Sequence, residues 1–284
     1  MNAPAKINLT LEVLARRADG HHGVRSVMVP LDLADELAFE PAGAFGFECD
    51  RIELAGERNL AVMALASVCG RLPPVRMRLT KRIPVQAGLG GGSSDAAAVL
   101  RAAMSGILGP TPPHDWLQLA RSLGSDVPFF LAETAALVEG TGERVTPAGS
   151  IPAWHVLIVK PPVSVSTAAA YRELDELERP QRPRTACVSI EMLEALQRAD
   201  FVAVERLLQN DFHELTVART PEVGAAIDAL RSAGAGNALL AGSGSCVFAL
   251  APAHATIEAI AQRLPLPEAF ERIVTRFAAT PQWR

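Results

Sequence analysis

The stretch that most constrains this chain runs from Pro84 to Asp95, Pro-Val-Gln-Ala-Gly-Leu-Gly-Gly-Gly-Ser-Ser-Asp, and leads directly into AAAVLRAA. Glycine admits positive φ and lets main chain come within contact distance of a ligand. The run Ala96–Met104 is helix on propensity, and a helix start presents unpaired N–H groups and the positive end of its dipole. Together these make an anion site suited to phosphate. Its cradle is Gly88, Leu89, Gly90, Gly91 and Gly92. Ser93 and Ser94 add hydroxyl donors, and either is placed to reach a metal held by the phosphates. The alternative is a plain turn with Ser94 or Asp95 capping the helix, but three consecutive glycines cost much entropy for a turn alone. A Walker loop is absent, and a dinucleotide fingerprint fails because Ser93 stands where the third glycine belongs.

The 284 residues favour two domains. A break at Gly149–Ala153, flanked by Pro147 and Pro152, divides residues 1–150 from 151–284. In the first half, Lys6–Val13 alternates and predicts a half-buried strand with Lys6 and Asn8 together on its non-core face. Shorter strands are expected at Ser26–Leu31, Glu36–Glu40 and Val75–Lys81. Helices are expected at Asn59–Leu72, with Asn59 as N-cap, and at Trp116–Leu123. The second half reads strand (His155–Val159), helices from Thr167–Leu177 to about Gly234, and strands at Ala238–Ala241 and Cys246–Leu250. A helix (His254–Leu264) and a strand (Arg272–Phe277) follow. This β-α-β-β-α-β order, with extra helices in the first crossover, is the ferredoxin-like signature. Pro180–Thr185 reads as an exposed loop.

Other groups carry chemistry. Arginine supplies most of the positive charge, and only Lys6, Lys81 and Lys160 are lysines. A retained lysine suggests a need for a compact ammonium, against the plain reading of Lys6 as a solvated edge-strand residue. Asp126, in GSDVPFF, is either a helix-terminus partner or a carboxylate anchored on a rigid core segment and able to take a proton from a hydroxyl. The turn Gly242-Ser-Gly-Ser245 and the pair His21-His22 are weak signals alone. Four dispersed cysteines fit neither a zinc site nor a disulfide framework and suit a reducing compartment. With no apolar run of membrane length and no signal peptide at MNAPAKINL, a cytoplasmic protein without membrane partners is expected.

PAKINL, the glycine-rich stretch and AGSGS, taken together, resemble the GHMP kinase superfamily. AKINLTLEV, RRADGHH, LGSDVPFF, EGTGE and NDFHEL are similar to its branch that acts on a cytidine-diphosphate-linked methylerythritol. The resemblance implies an α+β fold, with an N-terminal βαβ sandwich that binds ATP and a ferredoxin-like C-terminal domain. It implies ATP and Mg2+ as cofactors, and phosphorylation of the substrate's 2-hydroxyl in the non-mevalonate isoprenoid route. Lys6 and Asp126 fall on the catalytic pair, with Asp126 as base. Asn8 falls near the reacting group, and Pro84 with Gly88–Ser94 on the loop that wraps the ATP phosphates. Asn59 and Lys81 fall on the adenine site, His21 and His22 on the cytosine-binding turn, and Thr167 on the substrate side of the second domain. Where such kinases carry tyrosine before histidine, this chain has His21, which offers less stacking area.

Two other readings stay open on the residues. One is a related kinase acting on homoserine or a mevalonate-type alcohol, which has no use for a nucleotide-base pocket such as the RADGHH turn. The other is a non-catalytic nucleotide- or RNA-binding module, disfavoured by the net charge of −4, the three lysines, the single tyrosine and the absence of an aromatic-basic stripe. A small-molecule kinase, monomeric or weakly dimeric and without nucleic-acid partners, is expected.

Overall fold

Alternation from Lys6 to Val13 produces two strands, not one: β1 (Asn2–Asn8) and β2 (Thr10–Arg16), separated at Leu9. The strand is also not half-buried. Ile7, Leu9, Leu11 and Val13 enter the core as expected, while Lys6, Asn8, Thr10 and Glu12 on the other face are buried too, among polar partners. Buried polar groups need such partners, so this face is where hydrogen bonding is concentrated. The computed structural model describes residues 1–17, 20–176 and 187–278. The expected loop at Pro180–Thr185 and the last residue of the Thr167–Leu177 helix lie outside them.

The two short strands expected after the histidine turn merge into one 20-residue strand, β3 (His22–Pro41). After it come β4 (Gly46–Cys49), α1 (Leu60–Cys69), β5 (Val75–Thr80), α2 (Gly91–Met104), α3 (Trp116–Leu123), α4 (Val127–Leu131), β6 (Ala136–Gly140) and β7 (Arg144–Pro147). The second half holds β8 (His155–Lys160), α5 (Thr167–Glu176), α6 (Val188–Gln197), α7 (Phe201–Leu207), β9 (Gln209–Asn210), α8 (His213–Arg219), α9 (Pro221–Ser232), β10 (Ala238–Leu240), β11 (Val247–Ala251), α10 (His254–Arg263) and β12 (Glu271–Arg276).

β3 organises the first sheet. It pairs antiparallel with β1, β2, β5 and β6 along its length, and β4 and β7 extend the sheet beyond β5 and β6. α1, α2, α3 and α4 cover one face with the alanine-rich side of α2 against Met28, Leu37, Met77 and Phe130. Small alanines allow α2 to lie close to the sheet and to α1. The second sheet has the order β10-β11-β8-β12, all antiparallel, which is the ferredoxin-like arrangement expected from the element order. The passage between sheets falls between β7 and β8, across Gly149–Ala153. Two pairings cross the halves: β9 joins the first sheet, running parallel to β2 through Thr10–Gln209 and Leu11–Asn210, and a single antiparallel bridge joins Leu31 to Phe277.

Helix α2 starts earlier than its propensity suggests. Gly90 is its N-cap at φ 74°, with no side chain capping it, so neither Ser94 nor Asp95 acts as cap. By contrast, Asn59 caps α1 as its sequence position indicates, accepting from Ala61 N at 2.9 Å.

Candidate active site

A cavity of about 940 Å³ lies between the glycine-rich stretch, the cavity-facing side of β1–β3 and the start of α5. Its walls include Lys6, Asn8, His21, His22, Asn59, Lys81, Pro84, Gly88 through Ser93, Asp126 and Thr167. Of the residues that the resemblance places in the site, Ser94 alone stands outside it. Its side chain is wholly buried and its hydroxyl has no hydrogen-bond partner among the described residues, so Ser93 is the serine that faces the opening.

Glycine is required at two positions of the loop. At Gly88 (φ 79°) a Cβ would sit 1.9 Å from the carbonyl oxygen of Ala241, and at Gly90 it would meet the Phe130 ring at 2.9 Å and Lys6 Cγ at 3.1 Å. The loop is therefore pressed against both other motifs. Lys6 N donates to Leu89 O at 2.9 Å, and Cys246 N donates to Ala87 O at 3.2 Å. The Ala241–Gly244 turn is braced in its own right by Asn210, whose Nδ2 donates to Leu240 O and Gly242 O at 2.8 and 2.7 Å. What remains is a helix start without a side-chain cap, whose first residues Gly91, Gly92 and Ser93 line the cavity, an arrangement suited to an anion.

Across from the loop, Lys6 Nζ lies 3.5 Å from Asp126 Oδ2 and donates to Asn8 Oδ1 at 2.8 Å. Lys6 is 4% exposed. Asp126 stands at the N-cap position of α4 yet makes no side-chain cap bond, so its carboxylate is not spent on the helix. The peptide before it is fixed by packing: a Cβ on Gly142, at φ 112°, would sit 2.1 Å from Ser125 O, which explains the second glycine in EGTGE. Ser93 Oγ is 3.5 Å from where a Cβ on Gly124 would be, which puts this hydroxyl beside the Asp126 segment.

Lys81 lies directly under the loop rather than projecting into the open cavity. Its ammonium is bonded to Asp35 and, at 2.7 Å, to Asp95. Burial works against its charge, but the two carboxylates outweigh this and raise its pKa. Burial pushes Asp95 up to about 7, with the neighbouring Asp35 adding to the rise and Lys81 opposing it. Asp35 also accepts from Arg82 N and Ile83 N at 2.6 and 2.8 Å, so the triad ties the end of β5 to β3 and α2.

At the far end of the cavity, His22 Nδ1 is 2.9 Å from Leu14 O and Nε2 is 2.8 Å from Asp175 Oδ1. The His22 ring stacks on Tyr171 at 5.6 Å between centroids, and Tyr171 meets Phe212 edge-on at 4.9 Å. Thr167 Oγ1 contacts Ser243 Oγ at 2.8 Å, one helical turn before Tyr171. The sequence reading missed Tyr171. The available signals were that it is the single tyrosine of the chain and that it stands four residues after Thr167, on the same helix face. Burial and, secondarily, Asp126 push its phenol up to about 12, so it remains neutral at ordinary pH.

Fold and site together define a GHMP kinase, a small-molecule phosphotransferase. GHMP kinases N terminal domain matches residues 58–134, and GHMP kinases C terminal matches residues 192–268. A 4-diphosphocytidyl-2-C-methyl-D-erythritol kinase of Deinococcus radiodurans is 42% identical over 275 residues, covering 93% of this chain and 89% of its own. One of Symbiobacterium thermophilum is 42% identical over 259 residues, covering 87% and 89%. A crystal structure of 4-(cytidine 5'-diphospho)-2C-methyl-D-erythritol kinase aligns with a TM-score of 0.76 at 34% identity, over 98% of this chain and 99% of that one. The fold alone is shared with a homoserine kinase from Cytophaga hutchinsonii, at a TM-score of 0.63 and 19% identity over 100% and 97% of the chains. The chain belongs to the 4-diphosphocytidyl-2-C-methyl-D-erythritol kinase family. No helix among the described residues is long and apolar enough to cross a membrane.

Proposed function

We propose that this protein transfers the γ-phosphoryl group of ATP to the 2-hydroxyl of 4-diphosphocytidyl-2-C-methyl-D-erythritol, in the cytoplasm and within the non-mevalonate isoprenoid route. It acts as a monomer or weak homodimer, and neither nucleic acid nor membrane is its partner. The observation that carries this reading is the Lys6–Asp126 pair facing the uncapped start of α2 across one cavity. Asp126 accepts the hydroxyl proton as the substrate oxygen forms its bond to the γ-phosphorus and the bond to the ADP oxygen breaks. Lys6 orients Asp126 and offsets developing negative charge, and Asn8 holds Lys6. The Gly88–Gly92 amides and Ser93 hold the phosphates, with Asn59, Lys81 and Pro84 on the nucleotide side of the loop.

The cavity offers hard oxygen donors, the Asp126 carboxylate and the Ser93 hydroxyl, which suits Mg2+ arriving on the phosphates and needing one or two protein ligands. Ser93, with the Asp126 carboxylate beside it, would hold that ion, which would supply neutralisation of the phosphate charge. At the opposite end His21, His22 and Tyr171 form the base-binding wall, with Thr167 on the same side. Tyr171 supplies stacking area that His21 lacks in place of a tyrosine. Residues 1–150 carry the ATP site and the reacting groups, and residues 151–284 add Thr167 and Tyr171 to the substrate side.

ADP release from Mg-ATP, measured with a panel of alcohols, tests the reading. Turnover is expected with the cytidylated methylerythritol and not with homoserine or mevalonate; equal turnover with all three, or none with the cytidylated compound, overturns it.

A further inference from the structure

We infer that Ser26 is a positioning residue for phosphoryl transfer, fixing the orientation of the Asn8 amide that aims the Lys6 ammonium at Asp126. The inference rests on the phosphoryl-transfer reading above and adds a residue to it.

β1 pairs with β3 so that Asn8 faces Met28. Ser26, two residues along β3, is therefore its diagonal neighbour on the same face of the sheet. Asn8 Nδ2 donates to Ser26 Oγ at 2.8 Å, and Ser26 Oγ donates to Thr10 O at 2.5 Å. A serine hydroxyl has one proton. Since it is given to the Thr10 carbonyl, the Ser26 oxygen can only accept from Asn8. This forces the NH2 end of the amide toward Ser26 and its oxygen toward Lys6. With the amide reversed, two N–H donors would face an ammonium that has nothing to accept them, within a site where Asn8 and Ser26 are each 1% exposed.

The Thr10 carbonyl is itself held firmly. Val27 N donates to Thr10 Oγ1 at 2.9 Å, and Thr10 Oγ1 is 2.7 Å from Ser189 Oγ. Ser189 Oγ spends its proton on Glu12 at 2.6 Å, so Thr10 must donate to Ser189. The buried Glu12 carboxylate thus sets the polarity of the Thr10–Ser189 link. Ser26, donating to the carbonyl of that same anchored residue, acts with the donor-only Lys6 ammonium to set which way Asn8 points.

The test is a set of variants read by kcat and by affinity for an unreactive ATP analogue. Ser26→Ala and Ser26→Cys remove a good acceptor for Asn8 Nδ2. They are expected to lower kcat about ten- to a hundredfold, the scale of a misplaced catalytic group, while leaving analogue affinity near wild type and lowering the melting temperature by only a few degrees, the cost of one lost buried hydrogen bond. Ser26→Thr keeps the hydroxyl and restores kcat. In an Asn8→Ala background Ser26→Ala is expected to have no further effect, because Ser26 acts through Asn8. Wild-type kcat in S26A, equal losses in the Ala, Cys and Thr variants, or an undiminished S26A effect on top of N8A overturns the inference. Asp126→Asn run alongside separates the two levels. An inactive D126N with a fully active S26A defeats this inference alone, and a fully active D126N defeats the phosphoryl-transfer reading and the inference with it.

Discussion

Two lysines flank the glycine-rich loop, each beside carboxylates and each nearly buried, and they do opposite work. Lys81 is enclosed with Asp35 and Asp95, whose side chains are 0% and 3% exposed. Lys6 faces one carboxylate, Asp126, that is 30% exposed and opens on the cavity. The closed cluster carries more negative than positive charge and braces three segments of backbone. The open one has an acid that a ligand can reach. Burial of a lysine therefore says little about chemistry; the access of its partner to the cavity decides.

Substitutions that exchange the properties of the two clusters test this contrast. The largest effect is expected at the open one: Asp126→Asn should lower kcat by about 10²–10⁴, the usual cost of losing a general base, with the melting temperature unchanged. Steady-state kinetics and a thermal melt check both halves of that statement. At the closed cluster the pattern reverses. Lys81→Met strands two buried carboxylates and should cost about 3–5 kcal/mol of folding stability, measured by denaturant titration; wild-type stability would remove the contrast. Away from both, Tyr171→Leu should weaken binding of the cytidylated substrate by about 1–3 kcal/mol, the value of one base–aromatic stack, leaving KM for ATP unaltered. A further test concerns pH. Asp95 titrates near 7 in the folded protein against 3.8 ordinarily, so the fold binds its proton more tightly than the unfolded chain does. That carboxyl weakens the fold as pH rises through this window. The melting temperature of Asp95→Asn, relative to wild type, should therefore climb between about pH 4 and 7, and a constant difference would show that Asp95 does not titrate there.

The backbone-made part of the site was legible in sequence because glycine has few other uses in such density, and Gly88 through Gly92 all reach the cavity. Lys6 and Asn8 were legible together because strand periodicity puts them on one face. Asp126 was legible as a polar residue set against FF. What escaped depends on long-range register. Ser26 matters because β1 pairs with β3 at Asn8–Met28, and Asp35 because the later part of β3 passes under the end of β5. Asn210 matters because two residues of the second half enter the first sheet. No local pattern announces any of these. The start of α2 was misplaced for a different reason: propensity penalises glycine in a helix, but the cradle needs Gly91 and Gly92 there, and packing of the alanine face against the sheet outweighs the penalty.

The short β9 pairing has a bearing on how this molecule can be cut. A fragment ending near residue 150 would expose the main-chain edge of Thr10 and Leu11 to any strand willing to pair with it, and would take away the Ala241 carbonyl that backs Gly88. The two halves are stitched, not merely docked, so neither is a self-sufficient module for transplantation into another kinase.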